Sequence, residues 1–142
     1  MTDRLLPDTH IALWLDNGDD RLNRATRDLI DAIWRTGDNA CFSAVSAWEI
    51  ALLVDAGRFR LDVAVEDWVD RFAALPGITA VPLSHRAASR SDHLRHFESR
   101  DPADRLLVAT AIELECPLVT YDGAITRFAE QHGRQYGFTV TA

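Results

Sequence analysis

The chain contains no lysine; each of its 15 basic residues is an arginine. That absence excludes the P-loop phosphate cradle, Schiff-base chemistry and lysine nucleophiles, all of which need an ε-amino group. Cysteine is scarce too. Cys41 and Cys116 form no C-x-x-C motif and sit in or beside apolar strand-like segments, so they read as inert core thiols. No apolar run approaches the roughly 20 residues that span a bilayer. The segment from Met1 to Arg4 has neither the charged nor the apolar region of a signal peptide. These absences lead to the expectation of a soluble, cytoplasmic protein with no membrane partner. The net charge of -7 leaves no general basic coat for nucleic acid, but is compatible with an enzyme that meets phosphate through metal ions.

What is present is a chain of 142 residues, 47% hydrophobic, enough for one core and too short for a second domain. Residues 1–142 are expected to form a single domain. Short apolar segments alternate with helical stripes, the pattern of an α/β fold with a parallel sheet. Arg4-Leu5-Leu6-Pro7 reads as a strand ending at Asp8, followed by Ile11, Trp14 and Leu15 at helical spacing. Leu22 to Trp34 gives an amphipathic helix ended by Gly37, and a strand through Phe42 follows. A helix beginning near Val45 carries Glu49 in its expected opening turn. Val65 to Leu75 forms a helical stripe stopped by Pro76-Gly77, and Ile78 to Val81 a third strand. Ser84 to Leu94 reads as helical, and His96 to Arg100 as a loop. Asp101 then caps a helix with Pro102 at its first position, placing Asp104 in the first turn. Pro117 to Thr120 is a buried-strand pattern closed by Tyr121-Asp122-Gly123, with a short helix starting at Ile125 and Phe128.

Asp8, Glu49, Asp104 and Asp122 thus each fall where a strand gives way to a helix. In a parallel sheet such junctions share one edge, the edge at which open α/β proteins bind ligands. Clustered carboxylates suit a hard divalent cation, because Mg2+ and Mn2+ prefer oxygen donors and keep waters for substrate phosphates.

Each acid also has a plain structural role. Glu49 could complete a capping box with Ser46, Asp104 could complement its helix dipole, Asp101 is an N-cap, and Asp8 and Asp122 could be turn formers. Four such accidents at one edge are less economical than a site. His10 is placed either to orient a phosphate or to serve as a structural histidine. His93-x-x-His96 lacks the further ligands that zinc requires. Between Ser84 and Arg100, four arginines outweigh two acids. Arg86, Arg90 and Arg95 could therefore guide a phosphate backbone or simply form a solvated helix face. Trp68 and Phe72, at helical spacing, read as core or a dimer face.

Four segments carry a resemblance: Leu6-Pro7-Asp8-Thr9-His10; Ser43-x-x-Ser46-x-Trp48-Glu49-Ile50; Arg100-Asp101-Pro102-Ala103-Asp104-Arg105-Leu106-Leu107-Val108-Ala109; and Leu118-Val119-Thr120-Tyr121-Asp122. In this order and spacing they resemble PIN-domain proteins, specifically VapC-type toxins of toxin-antitoxin pairs. The resemblance implies a three-layer α/β/α domain with a short parallel sheet of four to five strands. It also implies an Mg2+- or Mn2+-dependent endoribonuclease for single-stranded RNA, with metal-activated water as nucleophile. It carries the metal-binding and catalytic acids onto Asp8, Glu49, Asp104 and Asp122, with Thr120, Asp101 and His10 as accessory candidates. The implied partners are an RNA substrate, a cognate VapB-like antitoxin and a second copy in a homodimer. The alternatives are a catalytically silent PIN-like binding module and a phosphoacceptor receiver-like domain. A receiver would need an acidic pair after the first strand and a lysine, and both are missing here.

Overall fold

The computed structural model describes residues 4–142. Five strands, β1 (Arg4–Pro7), β2 (Asn39–Ser43), β3 (Ile78–Val81), β4 (Leu118–Val119) and β5 (Val140–Thr141), form one sheet in the order β3-β2-β1-β4-β5. Every pairing is parallel. The connections hold seven helices: α1 (Thr9–Asn17), α2 (Arg24–Arg35), α3 (Ala44–Asp55), α4 (Val65–Ala73), α5 (His85–Asp92), α6 (Pro102–Leu114) and α7 (Gly123–Tyr136). The α/β expectation thus holds, and the fifth strand comes from a carboxy-terminal segment that the sequence pattern did not mark.

The strands are apolar on both faces because helices cover both, as parallel sheets require. Leu6, Cys41 and Leu118 meet Leu107, Val108, Ile125 and Phe128 of α6 and α7 on one side. Leu5 and Val119 meet Ile11 and Ile30 of α1 and α2 on the other, where Phe42 packs with Trp68 and Phe72 of α4. Trp68 and Phe72 are therefore core residues. Cys41 and Cys116 are buried and unpaired with each other, and burial pushes both thiols up, Cys116 to about 12. As core thiols they stay protonated. Among the described residues no helix is long and apolar enough to cross a membrane.

Two details fix the frame. Gly77 has φ +84°, and a Cβ there would lie 2.6 Å from Trp34 Nε1, so the turn that ends the α4 stripe needs glycine. The close approach lets Trp34 Nε1 donate to the Gly77 carbonyl at 2.9 Å. Helix α7 is not short: it runs for 14 residues through Gly133.

Strand order decides where the site lies. From β1 the chain builds outward through β2 and β3, then returns to the other side of β1 for β4 and β5. The order reverses between β1 and β4, and the crevice beyond their carboxyl ends is the binding position of such a sheet.

Candidate active site

Asp8 leaves β1 and Asp122 follows β4, so both stand at this crevice. Asp8 is held by three interactions. Its backbone N–H donates to the Val119 carbonyl at 2.9 Å, its Oδ1 accepts from the Ile11 N–H at 2.9 Å, and its Oδ2 accepts from the Thr120 hydroxyl at 2.5 Å. Asp8 is therefore the N-cap of α1 as well as a pocket residue, a capping role that the sequence reading of a candidate metal-binding acid at a strand end did not assign. Asp122 does the same for α7, accepting from the Ile125 N–H, and Asp101 caps α6 by accepting from the Ala103 N–H, both at 2.9 Å. Three helix N-termini consequently point their partial positive charge at one place.

Glu49 and Asp104 come from the helices themselves. The N-cap of α3 is Ser43, which accepts from the Val45 N–H at 3.0 Å. Glu49 therefore sits in the second turn, not the opening one. The capping-box alternative also fails, because the buried Ser46 hydroxyl accepts from Thr9 Oγ1 at 3.0 Å. That bond locks the start of α1 to α3 and sets Glu49 beside Asp8. Asp104 lies in the first turn of α6, where Ser99 Oγ donates to its Oδ2 at 3.2 Å. Arg105, next in the chain, fastens the preceding segment to α6 by donating to the carbonyls of Ser91, Leu94, Phe97 and Ser99.

The result is a cavity of about 440 Å³ lined by Asp8, Glu49, Asp101, Asp104 and Asp122 together with His10. Thr120 is buried and reaches the site through Asp8. Burial pushes the Asp8 carboxyl up, against the hydrogen bonds from Thr120 and Ile11. Burial likewise raises Glu49, against the Thr9 hydroxyl and with Asp101 and Asp8 adding repulsion. Asp104 is pushed up to about 7, first by burial and then by the charges of Asp101 and Asp122. Negative charge is thus crowded here beyond what the protein neutralises, the electrostatic condition that a cation relieves.

The donor set fits a hard cation: it is all oxygen, with no thiolate or ring of histidines. The acids line one cavity, but among the described residues no three acidic, histidine or cysteine side chains lie close enough to form a ready-made coordination cluster.

Arg86, Arg90 and Arg95 are exposed and lie outside this cavity; Arg95 lines a separate hollow with Arg100 and Arg105. His93 and His96 turn to different partners, the Ser89 carbonyl and the Tyr136 hydroxyl. Sequence reasoning missed Trp14, Arg21 and Tyr121 as pocket residues. Trp14 carried a signal, since it stands one helical turn beyond His10 on the same face.

A parallel sheet with acids gathered beyond its central strands is the architecture of the PIN domain, whose family model matches residues 5–131. The chain belongs to that family. It is 34% identical over 118 residues to ribonuclease VapC22 of Mycobacterium tuberculosis, covering 83% of this chain and 86% of that protein. A toxin-antitoxin complex from Klebsiella pneumoniae contains a chain of similar fold, with a TM-score of 0.58, 18% identity and 96% of each chain covered.

Proposed function

We propose that this protein is a metal-dependent endoribonuclease that cuts unpaired RNA and serves as the toxin of a toxin-antitoxin pair. The observation that carries the reading is the convergence of Asp8, Glu49, Asp104 and Asp122 on one cavity at the switch point, in a PIN-family chain similar to a ribonuclease. Asp8, Glu49, Asp104 and Asp122 would hold Mg2+ or Mn2+, with Asp101 as an accessory acid. A bound cation of this kind lowers the pKa of its water and stabilises charge on a phosphodiester.

The chain's own residues prepare the rest. The N-termini of α1, α6 and α7 offer a field that favours phosphate. Thr120 fixes the Asp8 carboxylate, and His10, which lines the cavity, would donate to a phosphate oxygen. The exposed Arg86, Arg90 and Arg95 serve as an outer guide for the RNA backbone, beyond the cavity. A VapB-like antitoxin is the proposed inhibitory partner, and the shared fold with a chain of a toxin-antitoxin complex supports it; the proposed assembly is a homodimer that binds the antitoxin as a hetero-oligomer.

The test is cleavage of defined single-stranded RNA by the purified chain with Mg2+ or Mn2+. Activity should vanish with a chelator and in Asp8→Asn, while the circular dichroism spectrum is unchanged. Chelator-resistant cleavage, or full activity in Asp8→Asn, would overturn the reading.

A further inference from the structure

One wall of the cavity is not explained by the acids. On α1, Trp14 and His10 have ring centroids 5.7 Å apart, and Tyr121 stacks on Trp14 at 6.0 Å with 28° between planes. All three rings line the acidic cavity. Core packing accounts for part of Trp14, which rests against the cluster of Leu5, Ile11 and Ile30. It does not account for Tyr121, which stays 37% exposed. The Tyr121 hydroxyl is nonetheless pinned, accepting from the Asn23 N–H at 3.1 Å and pairing with Thr26 Oγ1 at 2.7 Å. A large ring is thus held in a fixed orientation at the solvent edge. The Arg21 guanidinium lies 5.2 Å from the Trp14 ring centroid and is anchored through Asp19.

Aromatic faces with an arginine beside them, next to a site suited to phosphate, match the two halves of a nucleotide, a flat base and an anionic linkage. We propose that Trp14 and Tyr121 form a stacking platform for one unpaired nucleobase flanking the phosphate that is cut, with Arg21 covering the base or meeting the adjoining phosphate. This rests on the ribonuclease reading and adds the subsite that admits only unpaired strands. In a duplex both faces of each base are occupied by its neighbours, so only a base that has left the stack can use the platform.

The experiment alters the RNA first, leaving the protein intact. A single-stranded oligoribonucleotide is prepared with an abasic residue at each position around the cut in turn, and both binding without divalent metal and cleavage with Mn2+ are measured. One flanking position should weaken binding about ten- to hundredfold, while the others change little. A fluorescent purine analogue at that position should be quenched on binding. Tyr121→Leu and Trp14→Leu should remove the quenching, and Tyr121→Phe, which keeps the ring, should retain it. Equal affinity at every abasic position, or an analogue that stays bright, would overturn the platform even if cleavage is intact. Quenching without cleavage of any RNA would leave the platform standing and sink the ribonuclease reading instead.

Discussion

The Thr120 hydroxyl donates to Asp8 Oδ2 at 2.5 Å while its oxygen accepts the Asp122 backbone N–H at 3.1 Å. One buried side chain therefore ties the end of β1 to the end of β4 across the point where the strand order reverses. Thr120→Val keeps the shape and removes both bonds. Supporting residues of this kind commonly contribute about 10–100-fold to metal affinity. Thr120→Val should weaken Mn2+ binding and cleavage by about that factor, and Thr120→Ser should restore most of both. Isothermal titration and cleavage rates in parallel check it; equal metal affinity in the valine variant would reduce Thr120 to packing.

The double duty of Asp8 separates its two roles by substitution. Asparagine caps a helix about as well as aspartate, whereas alanine costs about 1 kcal/mol. Asp8→Asn and Asp8→Ala should both be inactive, but only Asp8→Ala should lose that stability in urea unfolding. If Asp8, Glu49 and Asp104 share a cation, adding Glu49→Gln or Asp104→Asn to Asp8→Asn should cost little further activity. Multiplicative losses would argue against a shared site.

How far the sequence revealed this site depends on the range of the interactions. Asp101 was legible as a cap because Pro102 and the apolar spacing beyond it mark a helix start, whereas Asp8 and Asp122 were found as strand-end acids without their capping roles. Glu49 was found but set a turn too early, because the true cap is Ser43 at the strand end. Strand β5 was missed because two residues, Val140 and Thr141, carry no alternation. The length of α7 was underestimated because only Ile125 and Phe128 were read as its stripe; the helix continues through Gly133, where a Cβ would lie 2.5 Å from the Phe138 carbonyl oxygen. The meeting of Trp14, Arg21 and Tyr121 was not readable, since the sheet brings together α1 and the end of β4 from opposite ends of the chain.

Arg105 is predicted to be a positioning residue. Its four carbonyl contacts hold the segment 91–99 against α6, and Ser99 in that segment donates to Asp104. A lysine ammonium has three donors and no planar fork. Arg105→Lys should lower cleavage and broaden its pH profile around Asp104, while hydrogen exchange accelerates in the segment 91–99. Unchanged exchange there would show that the segment is held by other means.

Arg86, Arg90 and Arg95 lie outside the acidic cavity, so their proposed contribution is to binding and not to chemistry. Replacing all three with glutamine should weaken binding of every RNA sequence alike and flatten its salt dependence, with a slope smaller by about 0.7 per lost contact to a single strand. An unchanged slope identifies them as solvated helix and loop charges.

The crowded carboxylates set the pH response of the metal-free protein. Asp104 is raised from 3.8 to about 7 in the fold, and Asp8 and Glu49 are displaced in the same direction. Below about pH 4 both folded and unfolded chains hold the Asp104 proton, and it contributes nothing to the difference. Between about pH 4 and 7 the unfolded chain releases that proton while the folded chain keeps it, so stability falls as pH rises and levels off above 7. Asp104→Asn removes the buried charge, so the metal-free variant should melt higher than the parent at about pH 8 and alike at about pH 4, by about 4 °C per kcal/mol recovered. Mn2+ should reverse the slope for the parent, because it binds the folded, ionised form and stabilises it most where the acids are already deprotonated. Thermal unfolding across this range, with and without Mn2+, reads both effects. Parallel curves for parent and variant would mean that Asp104 is solvated in the free protein, with no excess negative charge there for a cation to relieve.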